Sequence, residues 1–235
     1  MDDDYKKNIF DSLGDFLTSK HYEFRGSRHP LDANVEFSQK FNFYKQEEGT
    51  FIIDLKQDLQ VILDNTDKKS VRKNIDRAEE RGVMITQIES PEDVSTYHDI
   101  LSQHRIANEL IPYSFEDVAE GFKLMKSVGH SGFLAWSDKI PIGGITVSSF
   151  GGYINELGIA RSNLDTEKKL YSLDLLRWKI IEWGKQNNYL FYDLSGVKLK
   201  NRSSKDDGIF RNKEKWGGKL VTYPLFSNKL LGNNN

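Results

Sequence analysis

Cations, an aromatic ring and paired glycines are concentrated near the carboxyl end of the sequence. Arg211 and Lys213 precede Trp216, and Gly217 and Gly218 follow that tryptophan directly. Cations stabilise negative charge on a reacting oxygen, and glycines allow a backbone to approach a ligand closely. This stretch follows a predicted strand, and ligands bind at the carboxyl ends of strands in open α/β sheets. We therefore expect a ligand site here, formed by a basic and aromatic loop over residues 208–218.

Two carboxylates are candidates for accepting a proton. Asp193 ends a predicted strand, where it either accepts a proton in catalysis or caps the next turn through backbone N–H groups. Glu156 lies within another predicted strand, where it either faces inward as a catalytic group or faces outward in a salt bridge. The five histidines have no metal-ligand spacing, so we predict no metal site.

The composition limits the class of protein. A chain of 235 residues with 37% hydrophobic residues can bury a core, and a formal net charge of -2 argues against a polycation that coats nucleic acid. No cysteine is present, which excludes disulfides and a thiol nucleophile. No apolar run approaches the length of about 18 residues that a membrane span needs, and residues 2–4 are acidic. These features predict a soluble cytoplasmic protein without a transmembrane segment.

Periodicity predicts a strand meander followed by a crossover in the second half of the chain. Runs at 133–136, 140–150 and 153–160 have strand character, and a helix over 172–186 and a strand over 189–194 follow them. This order predicts an α/β (α+β) fold, in which a mixed, mostly antiparallel sheet is flanked by helices and contains one β-α-β crossover. Gly143 and Gly144 indicate a bulge or a close backbone approach within the second run.

The predicted crossover helix begins with polar residues that suit an anionic ligand. We expect Ser172 to be its N-cap, and the amino end of a helix favours negative charge. Arg161, Lys169, Tyr171 and Ser172 are therefore candidates for substrate binding. A pyrophosphate wrapped by successive N–H groups needs glycines, and none lies between Arg161 and Ser172. This absence argues against acyl-CoA as the donor.

A basic helix is predicted over residues 67–81. Its apolar stripe is Val71, Ile75 and Ala78, and four cations repeat on another face, namely Lys69, Lys73, Arg77 and Arg81. Such a run is typical of a solvated face, although it also suits RNA or an acidic partner. Arg72 differs because it lies beside the apolar stripe, where it could hold an anionic substrate.

These motifs resemble those of the Fem family of peptidyl aminoacyltransferases, which are built from GNAT-type acyltransferase domains. The resemblance covers about residues 51–223 and rests on the segment from Lys69 to Val83, on the Asp193 strand end, and on Lys213 with Trp216-Gly217-Gly218. Two features depart from the family. Asn212 stands where the family usually has phenylalanine, and the chain has room for one such domain where known members carry two.

The resemblance implies a GNAT-like acyltransferase domain over residues 50–235. The helical spacing of Tyr5, Ile9, Leu13 and Phe16 predicts an amphipathic helix over about residues 3–19, and the aromatic-rich residues 37–44 are expected to be extended, so residues 1–49 are predicted to form an appendage to that domain. The resemblance implies transfer of an aminoacyl group from charged tRNA to an amine of a cell-wall peptide precursor. It also implies that Lys213 stabilises charge on the reacting carbonyl, with Arg211 nearby. No bound cofactor is expected, since the donor is a co-substrate.

Two alternatives remain open from the sequence. One is a GNAT-type N-acyltransferase that uses acyl-CoA on a sugar amine or another small molecule. The other is a noncatalytic module that binds RNA or an acidic partner through the basic helix, from Lys69 to Arg81, and a loop from Lys198 to Lys219.

Overall fold

The computed structural model describes residues 3–32 and 41–229, in two compact units. The first unit comprises residues up to 51 together with 196–210 and residues from 220 onward, and the second comprises 52–195 and 211–219. Part of the extended segment predicted near residues 37–44 lies outside the described residues. No described helix has the length and apolar character needed to cross a membrane.

The first unit begins with the predicted amphipathic helix, α1 (Asp3–Ser19). It also contains β1 (Arg25–Ser27), the first part of β2 (Tyr44–Asp54) and most of β8 (Lys219–Ser227). Strand β1 pairs antiparallel with β8, so that Gly26 lies opposite Phe226. Most of helix α8 (Ser204–Glu214) also belongs to this unit.

The second unit contains the predicted meander and crossover. The strands β3 (Met84–Gln87), β4 (His130–Ser137), β5 (Ile140–Phe150) and β6 (Tyr153–Arg161) form consecutive antiparallel pairs, and β7 (Phe191–Val197) pairs parallel with β6. Two helices connect β6 to β7, namely α6 (Asn163–Lys168) and α7 (Ser172–Gln186). The sheet is mixed and mostly antiparallel, helices flank it, and it contains a β-α-β crossover. The predicted fold class is confirmed.

The parallel strands separate soon after they begin. Pairing between β6 and β7 runs from Tyr153 opposite Phe191 to Asn155 opposite Asp193, and among the described residues it extends no further. The register between β5 and β6 shifts next to this point, which leaves Leu157 as an extra residue in β6. A bulge bends the strand that carries it. Because β6 and β7 are not paired beyond Asn155 and Asp193 among the described residues, there is a split between them towards their carboxyl ends.

The remaining helices of the second unit pack beside this sheet. They are α2 (Leu59–Asn65), a π-helical turn (Lys68–Arg72) that continues into α3 (Lys73–Glu80), α4 (Pro91–Ala107), and α5 (Phe115–Met125) with a final 3-10 turn (Lys126–Val128). The basic helix predicted over 67–81 is therefore the π-helical turn and α3 together. Its stripe of Val71, Ile75 and Ala78 is buried, as predicted.

Glycines allow the sheet to contact its helices closely. A Cβ added at Gly143 would lie 2.6 Å from the Ser172 hydroxyl oxygen, and one at Gly144 would lie 2.7 Å from the Tyr97 ring. The close approach predicted for this glycine pair is confirmed. It brings the start of α7 directly against β5.

Candidate active site

A buried ion pair lies where β6 leaves β7. The Glu156 side chain accepts two hydrogen bonds from Arg177 of α7, one from Nε and one from Nη2, and both are 2.9 Å long. The Tyr192 hydroxyl donates a third bond to Glu156 Oε2 at 2.7 Å. Glu156 and Arg177 are each 2% exposed. Glu156 therefore faces the interior, and the outward-facing salt bridge considered from the sequence is wrong.

Glu156 and Arg177 each stabilise the charged form of the other. Burial acts to raise the pKa of Glu156, but the Arg177 charge and the hydrogen bonds from Arg177 and Tyr192 outweigh it, so the pKa lies below its ordinary value. Burial and the Glu156 charge raise the pKa of Tyr192 well above its ordinary value. The carboxylate is ionised at neutral pH and the phenol keeps its proton to donate.

Lys213 lies beside this cluster, in the last turn of α8. Its side chain is largely buried, and Nζ donates to the Ser195 carbonyl at 3.1 Å. Arg177 Nη1 also donates to Asn212 Oδ1 at 2.9 Å, which connects the ion pair to the residue before Lys213. Burial lowers the pKa of Lys213, and Arg177 adds to this effect while the charge of Glu156 opposes it. A cation is thus held at the carboxyl end of β7, next to the split.

The prediction of a basic and aromatic loop over 208–218 is wrong for residues 208–214, which form the end of helix α8. Ser203 and Asp206 begin this helix with reciprocal hydrogen bonds, in which each side chain accepts from the other residue's backbone N–H. Helical geometry matters for the chemistry because it fixes Lys213 on one face, where a loop would leave it free to reorient.

Asp193 is the third residue of β7, and the strand continues to Val197, so the strand end predicted at residue 194 is wrong. Its Oδ1 accepts from the Ser195 backbone N–H at 2.7 Å, and its Oδ2 accepts from the Tyr153 hydroxyl. Ser195 has a φ of 68°, a left-handed backbone conformation that this hydrogen bond supports inside the strand. Asp193 therefore bonds to a backbone N–H, as considered from the sequence, but it does so within β7 and not at a turn after the strand.

A carboxylate of the protein itself is bonded to the amino end of α7. Asp165 is fully buried, and its Oδ1 accepts from the Ser172 backbone N–H at 2.8 Å. Arg161 forms an ion pair with the other carboxylate oxygen. The N-cap of α7 is Tyr171, with a φ of 60°, so the predicted Ser172 cap is wrong. The Ser172 hydroxyl is buried and has no hydrogen-bond partner among the described residues.

Two of the four cations of the predicted basic helix contact the residues just before α7. Arg77 and Arg81 lie over the Tyr171 ring, with guanidinium carbons 5.7 and 5.6 Å from its centroid. Arg77 also donates to the Tyr171 hydroxyl at 3.3 Å, and Arg81 donates to the Lys169 carbonyl. These two arginines are therefore engaged within the protein, which weakens the alternative of a basic helix exposed for RNA.

The remaining predicted residues lie on other parts of the second unit. Arg72 forms an ion pair of 2.9 Å with Asp64, and the Arg211 residue is exposed. Trp216 is buried, and with Gly217 it lines a small cavity of about 280 Å³ beside the end of β2. Three predicted site residues lie together around the ion pair, namely Lys213, Glu156 and Asp193.

The sequence analysis missed Arg177, Tyr192 and Asp174. Arg177 interrupts the apolar run of α7, as Glu156 interrupts that of β6, and two opposite charges in buried elements are the signal that could have paired them. Asp174 accepts a 2.8 Å hydrogen bond from Asn74, and burial raises its pKa. Among the described residues, no group of three or more histidines and carboxylates is arranged to hold a metal ion.

No protein-family model matches this sequence, and no curated protein sequence matches it. Solved structures do match its fold. FemX superposes with a TM-score of 0.71 at 11% identity, covering 95% of this chain and 77% of its own. L-PGS from Bacillus licheniformis gives 0.57 at 15% identity, covering 81% of this chain and 64% of its own. A GCN5-related N-acetyltransferase from Kribbella flavida gives 0.52 at 9% identity, covering 98% of this chain and 78% of its own.

The fold is of the Fem and GNAT type. This confirms the fold that the sequence motifs implied by resemblance. At these identities the likeness concerns the architecture alone. Within this Fem/GNAT-type fold, Lys213 and the Glu156–Arg177 pair lie at the split between the parallel strands.

Proposed function

We propose that this protein is a transferase that moves an acyl or aminoacyl group from an ester or thioester donor to an amine. The observation that supports this most is the position of Lys213. Its ammonium group lies at the carboxyl end of β7, bonded to the Ser195 carbonyl, where the parallel strands have separated. Ligands bind at the carboxyl ends of strands in open α/β sheets.

The proposed reaction asks mainly for charge stabilisation and positioning. The amine nitrogen attacks the carbonyl carbon, and the carbonyl oxygen becomes an oxyanion. When the oxyanion collapses, the new C–N amide bond stays and the bond to the donor oxygen or sulfur breaks. The amine loses a proton and the leaving group gains one. A fixed cation beside the oxyanion lowers this barrier because it needs no reorganisation during the reaction.

The two carboxylates are proposed to position the site. Glu156 already accepts three hydrogen bonds from Arg177 and Tyr192, and both oxygens of Asp193 accept bonds from Tyr153 and Ser195. Glu156 orients Arg177, and Arg177 holds Asn212 next to Lys213. We assign removal of the amine proton to water in the split, since both carboxylates are occupied in fixing the cation.

The amino end of α7 favours an aminoacyl ester of tRNA over acyl-CoA. A pyrophosphate there would meet the buried Asp165 carboxylate, which already takes the first helical N–H. Like charges at this distance repel, and the anion site of a helix end would be lost. Charged tRNA is a cytoplasmic donor, so we propose that the reaction takes place in the cytoplasm.

The acceptor is proposed to be an amine on a peptide, of the kind found in cell-wall precursors, or on a sugar. Arg72 and Arg211 are proposed to bind anionic parts of the substrates, and the cavity beside Trp216 and Gly217 to receive an uncharged part. Arg161, Tyr171 and Ser172 are proposed to shape the donor side of the site without contacting the donor directly, since their polar groups are engaged or buried. Lys169 is exposed and is proposed to bind an anionic part of the donor. Residues 50–235 are proposed as the transfer domain.

The proposal is tested by offering donors and acceptors separately. Purified protein is incubated with a mixture of charged tRNAs or with short acyl-CoAs, and with amine-bearing peptides or amino sugars. We expect loss of the aminoacyl ester and gain of an amide product, detected by mass spectrometry, with tRNA donors only. Amide formation from acyl-CoA alone would overturn the donor assignment, and no product with any pair would overturn the transferase assignment.

A further inference from the structure

A second cleft, of about 840 Å³, lies between α4, α5 and one end of the sheet. Ser149 and Tyr189 form part of its wall. Ser149 pairs with Ile154 near the start of β6, and Tyr189 shortly precedes β7, so this wall is at the amino ends of the parallel strands. Lys213 contacts Ser195 near the carboxyl end of β7. The cleft is therefore at the opposite end of these strands from the candidate active site.

The cleft is apolar at one end and cationic at the other, because of the residues along one face of α5. Phe115, Ala119, Phe122 and Lys126 recur at helical spacing along α5 and its 3-10 turn, and all four line the cleft together with Lys123. The stripe begins with an aromatic ring and ends with two ammonium groups, over roughly 16 Å at 1.5 Å per residue. Its first part suits an apolar group, and its last part suits an anion.

A half-buried imidazole lies at the cationic end. His130 follows the 3-10 turn of Lys126 and packs edge-on against Phe122, with ring centroids 4.6 Å apart. Its Nδ1 is buried and has no hydrogen-bond partner among the described residues. A nitrogen without a partner, on a ring that lines the cleft, favours a ligand with a polar group at this end. Glu89 is a carboxylate among the lining residues, and Lys123 and Lys126 outnumber it.

We propose that this cleft binds an organic anion with an apolar body, of the alkyl carboxylate class. The alkyl part lies along Phe115, Ala119 and Phe122, while the carboxylate meets Lys123, Lys126 and the imidazole of His130. The volume falls within the range of about 300–1,000 Å³ that is usual for small-molecule sites. The proposal does not depend on the transferase assignment, because it uses none of the residues around Lys213.

The probe is octanoate, with 1-octanol as the uncharged match. The imidazole nitrogens of His130 are followed by long-range ¹H–¹⁵N NMR while each compound is added to the full-length protein. We expect octanoate to shift the His130 signals saturably, and octanol to bind at least about tenfold more weakly. Equal affinity for the two compounds, or the absence of a saturable shift with octanoate, would overturn the proposal.

Variants locate the two halves of the site. The double variant Lys123→Gln/Lys126→Gln is expected to lose about tenfold in octanoate affinity while its octanol affinity stays the same. The double variant Lys7→Gln/Lys20→Gln, at two exposed lysines in α1 and just after it, is the charge-matched control and should bind octanoate as the parent does. Ala119→Phe fills the cleft and should abolish binding of both compounds. Undiminished octanoate binding by the double lysine variant would contradict the proposal even if Ala119→Phe does not fold.

Discussion

At the scale of single residues, the site depends on two opposite charges placed in the interior. Removing water from Glu156 and Arg177 is costly, and their paired geometry and the Tyr192 hydroxyl offset this cost. Such a pair adds little net stability, but it becomes strongly destabilising when one partner is missing. Its value here is positional, since Arg177 also holds Asn212 beside Lys213.

This leads to a prediction for Glu156→Gln. The change leaves the Arg177 charge buried without a counter-ion, so we expect unfolding by urea at pH 7 to require about 3–5 kcal/mol less than for the parent. The double variant Glu156→Leu/Arg177→Met should recover most of that loss. Because folding lowers the pKa of Glu156, its contribution is present above the ordinary pKa of 4.5 and is lost as the pH falls through the folded value. A single variant as stable as the parent would contradict the buried pair.

The pH dependence of transfer should report the protonation of Lys213. Oxyanion stabilisation needs the ammonium form, and burial lowers the pKa of Lys213 from its ordinary value of 10.5, so activity should fall on the alkaline side below that value. The Glu156 charge opposes this shift. In Glu156→Gln, the alkaline limb of kcat/KM should therefore move to lower pH, measured at a temperature where the variant is folded. A limb that stays in place or moves upward would show that another group is titrating.

At the scale of elements, the sequence predicted the meander strands and the basic helix because their patterns are local. The strand character of β4, β5 and β6 and the apolar stripe of α3 can be identified without tertiary contacts. Helix α8 was misassigned because Gly208 suggested a loop, although Ser203 and Asp206 supplied a start signal. The Glu156–Arg177 pair could not be predicted from local pattern, since its partners come from different elements.

The amino end of α7 gives a prediction about its internal carboxylate. Asp165→Asn removes the charge that accepts from the Ser172 N–H and pairs with Arg161. Hydrogen bonds to charged groups contribute about 1.5–3 kcal/mol, and we expect a loss of that size in the free energy of unfolding. Glu167→Gln, on the exposed side of the same helix α6, is the matched control and should change stability by less than about 0.5 kcal/mol. Equal stabilities of the two variants would contradict the buried role of Asp165.

Two glycines, one within α8 and one just after it, give a second prediction at this scale. Gly217 has a φ of 69°, and an added Cβ would lie 2.2 Å from the Asn65 carbonyl oxygen, so Gly217→Ala should destabilise the protein by at least about 1–3 kcal/mol. Gly208 lies within α8 with nothing near its Cβ position, so Gly208→Ala should stabilise it by about 0.5–1 kcal/mol. Thermal melting distinguishes opposite signs easily. A tolerated Gly217→Ala would mean that the turn has another conformation.

At the scale of the whole molecule, the Fem/GNAT-type fold was predictable from the order of its elements together with the motif resemblance. The candidate site was predictable only in part. The resemblance pointed to Lys213, but its helical setting, its contact with Ser195 and the hydrogen bond from Arg177 to the preceding Asn212 depend on tertiary packing. The substrates do not follow from the fold, because one architecture accommodates many donors and acceptors and only the site distinguishes them.

The central claim is that the Lys213 ammonium stabilises charge on the carbonyl during transfer. The most direct measurement compares the rate of amine-dependent loss of the donor ester for the parent, Lys213→Met and Lys215→Met. Methionine keeps the apolar stem of the buried lysine, and Lys215 is an exposed control two residues away. We expect Lys213→Met to lose about 10²–10³-fold in rate and Lys215→Met to remain near the parent. Equal rates for the parent and Lys213→Met, in a folded variant, would contradict the claim.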